Sequence, residues 1–202
     1  MMITMEAVSA RDSVALLLRR AAATDWIELN RTQVMKLLYF IDLAAVVEVG
    51  YPITSLDWHW DKFGPFDAAV LGALDELVEE RILITRTLEH DVGTEQRYSV
   101  NQLNGDAPRV DESVMDRFDD VIRDHHGETG KSLSSQSYKT PPMRLAQSVG
   151  ERGDELDLYV ETSVGEAADI YLAAMREPIG DADDVSILEI SRFILSTRVD
   201  FW

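Results

Sequence analysis

Residues 30–50 read NRTQVMKLLYFIDLAAVVEVG, and residues 57–66 read DWHWDKFGPF. The first stretch is a helix with both ends marked. Asn30 suits an N-cap, because its side-chain oxygen can accept an otherwise unpaired amide of the first turn. Val34, Leu37, Leu38, Ile41 and Ala45 recur at helical spacing and define one apolar face. Gly50-Tyr51-Pro52 cannot continue the helix. In the second stretch Trp58 and Trp60 alternate with Asp57, His59 and Asp61, the pattern of a short, half-buried extended segment. Gly64-Pro65 punctuates the chain, and Pro65 suits the first turn of a following helix. That helix, over roughly 66–80, buries Val70, Ala73, Leu74 and Leu77 and turns Asp75, Glu76, Glu79 and Glu80 outward.

Working outward, Val14, Leu17 and Leu18 place an earlier helix at about 12–23. The third helix runs into ILITRTLEHDVGTEQRYSV, two β-rich runs about Asp91-Val92-Gly93, which predicts a hairpin. Val114, Phe118, Val121 and Ile122 are in phase for a further helix. The polar stretch 127–137 is expected as loop, and Pro141-Pro142 opens a short helix holding Met143, Leu145 and Ala146. Two more helices are expected at about 164–176 and 184–197, split by Pro178-Ile179-Gly180. The expected fold is mainly α with a small β-hairpin. It is a single compact helical domain containing a winged-helix-like helix–helix–helix–hairpin unit. Residues 1–150 form the main body, and 151–202 form an acidic helical extension packed on the same core.

Composition bounds the function. A chain of 202 residues with 46% hydrophobic residues can bury a core without staples. It has no cysteine, which excludes disulfides, thiolate nucleophiles and cysteine-based metal sites and fits a reducing cytoplasm. The N-terminus lacks a signal-peptide pattern, and no apolar run approaches the ~18 residues of a membrane span. With 37 acids against 19 bases the net charge is −18. Such a field repels nucleic acid and anionic lipid and favours a basic partner. Residues 150–202 hold 13 of the acids and 4 of the bases, so the last quarter carries half of that net charge.

Motifs for catalysis fail one by one. GETGKS at 127–132 ends like a phosphate-binding loop, but His125 stands where the required glycine would be, and a helix rather than a strand precedes it. His125 and His126, adjacent on a helix end, point about 100° apart and cannot easily share an ion; His59 and His90 stand alone. There is no serine elbow. No enzyme, metal or cofactor is expected. DNA binding through the helix before the hairpin is disfavoured, because its exposed face is acidic and would meet phosphates.

One combination goes beyond these generic signals. Lys36-Leu37-Leu38-Tyr39-Phe40, then Gly50-Tyr51-Pro52-Ile53, then an aromatic stretch through Trp60 to Phe63-Gly64-Pro65-Phe66 resembles the Panacea domain, the SocA-like antitoxin family of bacteria and their phages. Leu133-Ser134, Ser137-Tyr138-Lys139 and Pro142 resemble the family's closing segment, with Tyr138 where histidine is usual. The resemblance covers about residues 10–150. It implies a non-enzymatic antitoxin that binds and neutralises a toxin encoded beside it, by direct occlusion. Delivery of the toxin to an AAA+ protease and a winged-helix regulator are the alternatives.

Within the motif, Lys36, Leu37, Leu38, Phe40, Trp60, Gly64 and Pro65 are assigned to structure. Tyr39, expected at a partly exposed position, and Asp61, Lys62 and Phe63 are expected to contact the toxin. At the far end Ile187, Leu188, Ile190, Phe193, Ile194 and Leu195 give one helix a broad apolar face, and the sequence closes on Phe201-Trp202. That aromatic pair either completes the core or anchors the toxin.

Overall fold

The computed structural model describes residues 7–90, 93–101 and 108–160. Helix α1 (Ala10–Ala23) starts slightly before its apolar periodicity, because Ser9 caps it by accepting the Asp12 amide at 3.1 Å. A two-residue strand, β1 (Leu29–Asn30), leads directly into α2 (Arg31–Val49). Asn30 caps α2 as expected, and it does so reciprocally. Its side chain accepts the Gln33 amide at 2.8 Å, and the Gln33 side chain accepts the Asn30 amide at 2.8 Å. Gly50 closes the helix with φ 85°.

From Gln33 to Asp42 every position of α2 is buried, Lys36, Tyr39 and Asp42 included. This is the behaviour of a central helix rather than an amphipathic surface one. Helices α1, α4 and α5 pack around it.

Two antiparallel sheets flank this helix. The aromatic stretch forms a miniature hairpin, β2 (His59–Asp61) with β3 (Gly64–Phe66), in which Trp60 pairs with Pro65. Pro65 therefore sits in a strand rather than in the first turn of a helix. Asp67 provides the cap instead, accepting the Ala69 amide at 2.8 Å, and α3 spans Ala68–Glu79.

The long hairpin β4 (Leu83–His90) and β5 (Gly93–Val100) pairs from Leu83↔Val100 to His90↔Gly93. Strand β1 adds to the other edge of β5, with Leu29 opposite Tyr98, giving the order β1-β5-β4.

Helix α4 (Glu112–Asp124) buries Val114, Phe118, Val121 and Ile122 as its spacing requires. The polar segment expected as loop is instead helix α5 (Gly130–Ser137). Thr129 caps it by accepting the Ser132 amide, and a buried Leu133 and Ser137 face α2, so tertiary packing overrides a weak local propensity. Helix α6 (Pro141–Val149) opens on its proline pair.

Beyond it, the chain lies along β2. The Trp60 amide donates to Asp154 O (2.8 Å), Gly153 N donates to Trp60 O (2.7 Å), and Leu156 N donates to Trp58 O (2.7 Å). Leu156 and Leu158 enter the core.

The described part is mainly α with small antiparallel sheets and contains six helices. Asp91 and Val92 of the hairpin turn lie outside the described residues. So do the helices expected at 164–176 and 184–197, and Phe201 and Trp202. Among the described residues no helix is long and apolar enough to cross a membrane.

Candidate partner-binding surface

Three sequence segments converge on the β2–β3 hairpin. From α2, Lys36 reaches under it, 3% exposed, and donates from Nζ to Pro65 O at 2.6 Å. From α5, Ser134 Oγ donates to Phe63 O at 2.9 Å, and the Tyr138 hydroxyl just beyond donates to Lys62 O at 3.0 Å. Three backbone carbonyls in the turn and strand are thus held by side chains of neighbouring helices.

Gly64 makes that approach possible. Its φ is 93°, and a Cβ there would lie 2.9 Å from Ser137 Oγ and 3.4 Å from Lys36 Nζ. A two-stranded ribbon of three residues per strand has little stability of its own, so these anchors set its position.

A buried carboxylate fixes the segment that leads into the hairpin. Asp42 Oδ1 accepts the Ile53 and Thr54 amides at 3.0 and 2.9 Å. Its Oδ2 accepts the Thr54 hydroxyl at 2.5 Å and Trp58 Nε1 at 2.9 Å. Burial pushes the Asp42 carboxyl above the usual carboxylate range, and the four donors pull it back. An acid inside the apolar run of α2 was the legible signal for this role, although the sequence reading did not use it.

Tyr39 corrects an expectation. It is fully buried, with its ring edge-on to Trp58 at 5.5 Å and its hydroxyl sharing a 2.7 Å hydrogen bond with Thr140 Oγ1. Burial raises its phenol pKa. The partly exposed position assumed for it does not exist, because α2 is buried all round between Gln33 and Asp42. Leu37 and Leu38 are fully buried, and Phe40 stacks on His125 at 4.7 Å. Trp60 is half-buried, and its Nε1 has no partner among the described residues.

What the anchored hairpin presents is its turn. Asp61, Lys62 and Phe63 are exposed, Phe63 by 64%. Lys62 Nζ sits 5.3 Å from the centroid of the Phe63 ring, a cation–π contact.

Phe63 stands between two depressions. One is a broad cleft of about 1120 Å³ that also meets Tyr138, Lys131 and Arg97; the other is a cavity of about 140 Å³ reaching Lys36. Burial brings the Lys36 ammonium down to about 8, with Asp61 pulling it back up.

Elsewhere the polar groups are tied to structural partners. On α3, Glu76 and Glu80 pair with Arg11 of α1, the first at 3.2 Å. His126 bonds Thr24 O at 2.8 Å while His125 faces Glu128, so the adjacent histidines diverge. Among the described residues no three metal-ligating side chains converge.

A family model described as antitoxin SocA-like, Panacea domain, matches residues 34–142, the span that contains most of α2, both hairpins, α3, α4 and α5. No curated protein and no solved structure matches the chain.

Proposed function

The chain belongs to the SocA-like antitoxin family, Panacea domain, and on that premise we propose that it binds and neutralises a toxin encoded beside it by direct occlusion. The family supports a general antitoxin role and a toxin as partner. The finer reading rests on one observation: an exposed Asp61-Lys62-Phe63 turn whose backbone is held from two helices. A contact group held in place before binding loses little conformational entropy on association, which is how a small surface gains affinity. Phe63 supplies the aromatic anchor, and the −18 field draws in a basic toxin.

In this reading the protein acts stoichiometrically in the cytoplasm, without catalysis or cofactor. The order α1, β1, α2, α3, β4, β5, with the short β2–β3 hairpin between α2 and α3, supports a winged-helix-like frame. A role of α3 in reading DNA is disfavoured, because Glu76 and Glu80 are engaged with Arg11 on an acidic face.

The test is co-expression of each flanking open reading frame with and without this chain, scored by growth. One neighbour should be toxic alone and tolerated with the chain, at a fixed molar ratio in the purified complex. Phe63→Ala should leave the melting temperature within about 2 °C, since an exposed side chain contributes under about 0.5 kcal/mol. It should weaken toxin binding by roughly tenfold or more. Ile84→Ala, an exposed apolar truncation on the long hairpin, should change neither. If no neighbour is neutralised, or if Phe63→Ala binds as the parent does, the occlusion reading at this turn fails.

A further inference from the structure

Below the turn lies the small cavity of about 140 Å³, lined by Arg31, Lys36, Asp61, Phe63, Phe66 and Leu71 among others. Its size selects its occupant. Drug-sized ligands need roughly 300 Å³ or more, so this space admits about one side chain.

Its chemistry selects further. Phe63, Phe66 and Leu71 make an apolar wall, against which a buried ammonium is set. An ammonium has three donors, and among the described residues Lys36 donates to one acceptor, Pro65 O. A cation kept 97% out of solvent with one hydrogen bond is costly unless an anion or further acceptors meet it. Arg31 also lines the cavity, but its guanidinium is already engaged, donating from Nε to the Tyr98 hydroxyl at 2.8 Å and pairing with Asp75 at 3.9 Å, so Lys36 is the cation set against the carboxylate of Asp61. The cavity thus holds a buried ammonium inside a chain of net charge −18. Glycine at 64 keeps the space beside Nζ open, because a Cβ would lie 3.4 Å from it.

We propose that this cavity is an anchor pocket for one glutamate side chain of the protein partner, its carboxylate meeting Lys36 and its methylenes lying on Phe63, Phe66 and Leu71. Only the identification of the occupant as part of the toxin rests on the antitoxin reading; the pocket itself is tested on the isolated chain. The acidic field brings a basic toxin to the surface, and the pocket fixes its register by recognising a charge of the opposite kind. A partner orientation that left this cavity unfilled would keep the buried ammonium without its anion, so the pocket also selects against wrong docking.

The probe is N-acetyl-glutamate N-methylamide, with the glutamine analogue as its neutral isostere. Both are titrated into the full chain while the Lys36 Nζ signal and the Gly64 amide are followed by NMR. The glutamate compound should shift both signals saturably with a Kd of about 1–20 mM, the range expected of a single side chain. The glutamine analogue should bind at least about tenfold more weakly, since it brings no charge to the ammonium.

Asp61→Asn removes the competing carboxylate and should tighten the glutamate probe severalfold. Lys36→Met, read through the Gly64 amide, should abolish the preference for glutamate. Equal binding of the two probes, no saturable shift by about 50 mM, or weaker binding in Asp61→Asn would each overturn the pocket. Those outcomes involve no toxin, so they are separable from failure of the co-expression experiment.

Discussion

The two hairpins of this protein are held in place by opposite means. The β4–β5 hairpin has eight residues in each strand and a continuous antiparallel ladder, and much of its surface faces solvent. Its side-chain ties to the body include an exposed ion pair between Arg86 and Glu28. The β2–β3 hairpin has three residues in each strand, and side chains from two helices and backbone from residues 153–156 clamp it. A long ladder stabilises itself locally and tolerates surface change. A short one exists only as part of the tertiary structure, so its turn is presented in a fixed geometry. The difference supports the proposal that recognition lies on the small hairpin.

The sharpest way to break this contrast is to remove one tie from each region. Asp42→Ala leaves four buried donors without their acceptor and should cost about 4 kcal/mol in urea unfolding. Arg86→Ala in the long hairpin removes only an exposed pair and should cost under about 1 kcal/mol. Equal losses would mean that the two regions are supported alike.

Second in size is a pH effect confined to the small hairpin's anchor. The folded-state pKa of Lys36, about 8, lies below the ordinary 10.5. Between those values the unfolded chain holds a proton that the folded chain does not, so stability should rise as pH rises through that window. The full gain is about 3 kcal/mol. Below pH 8 both states are protonated and the gain is absent. Asp61, the carboxylate that raises the Lys36 pKa, modulates the size of the step but not its sign. Subtracting the same urea series for Lys36→Met should remove it. A flat difference between the two proteins would show that the ammonium is solvated.

Glycine substitutions give a smaller but cleaner comparison. Gly64 and Gly93 both have positive φ, 93° and 136°, yet only at Gly64 would a Cβ strike neighbours. Gly64→Ala should cost about 3 kcal/mol, from strain and crowding together. Gly93→Ala should cost about 1 kcal/mol from strain alone. Thermal melts of the pair decide it, and a reversed order would place the tighter packing in the wrong hairpin.

The smallest effect is Tyr138→Phe. It deletes the single hydroxyl bond to Lys62 O and should cost about 1 kcal/mol while weakening toxin binding, because it loosens the turn. A loss of stability with binding unchanged would separate the anchor from recognition.

Much of the frame was legible before any coordinates. Helix α2 announced its own ends, because the Asn30 capping box and the Gly50-Tyr51-Pro52 stop are encoded within a few residues of where they act. The strands of the long hairpin were legible for the same reason: strand propensity is local. Asp61, Lys62 and Phe63, expected to contact the toxin, lie exposed at the turn of the small hairpin.

What local pattern could not decide was which side of α2 faces solvent, since that depends on how many neighbours surround it. Tyr39 lies off the most apolar line, yet the elements packed on α2 and the Trp58 ring bury it. Likewise Pro65 carries a helix-start signature, but its pairing with Trp60 and the bond from Lys36 make it a strand residue. The serine-rich segment 130–137 has a weak helical signal by itself and becomes α5 because Leu133 and Ser137 find α2 to cover them. Local chemistry fixes where elements begin and stop. Only the packed structure fixes what each face meets, because burial is a property of neighbours distant in sequence.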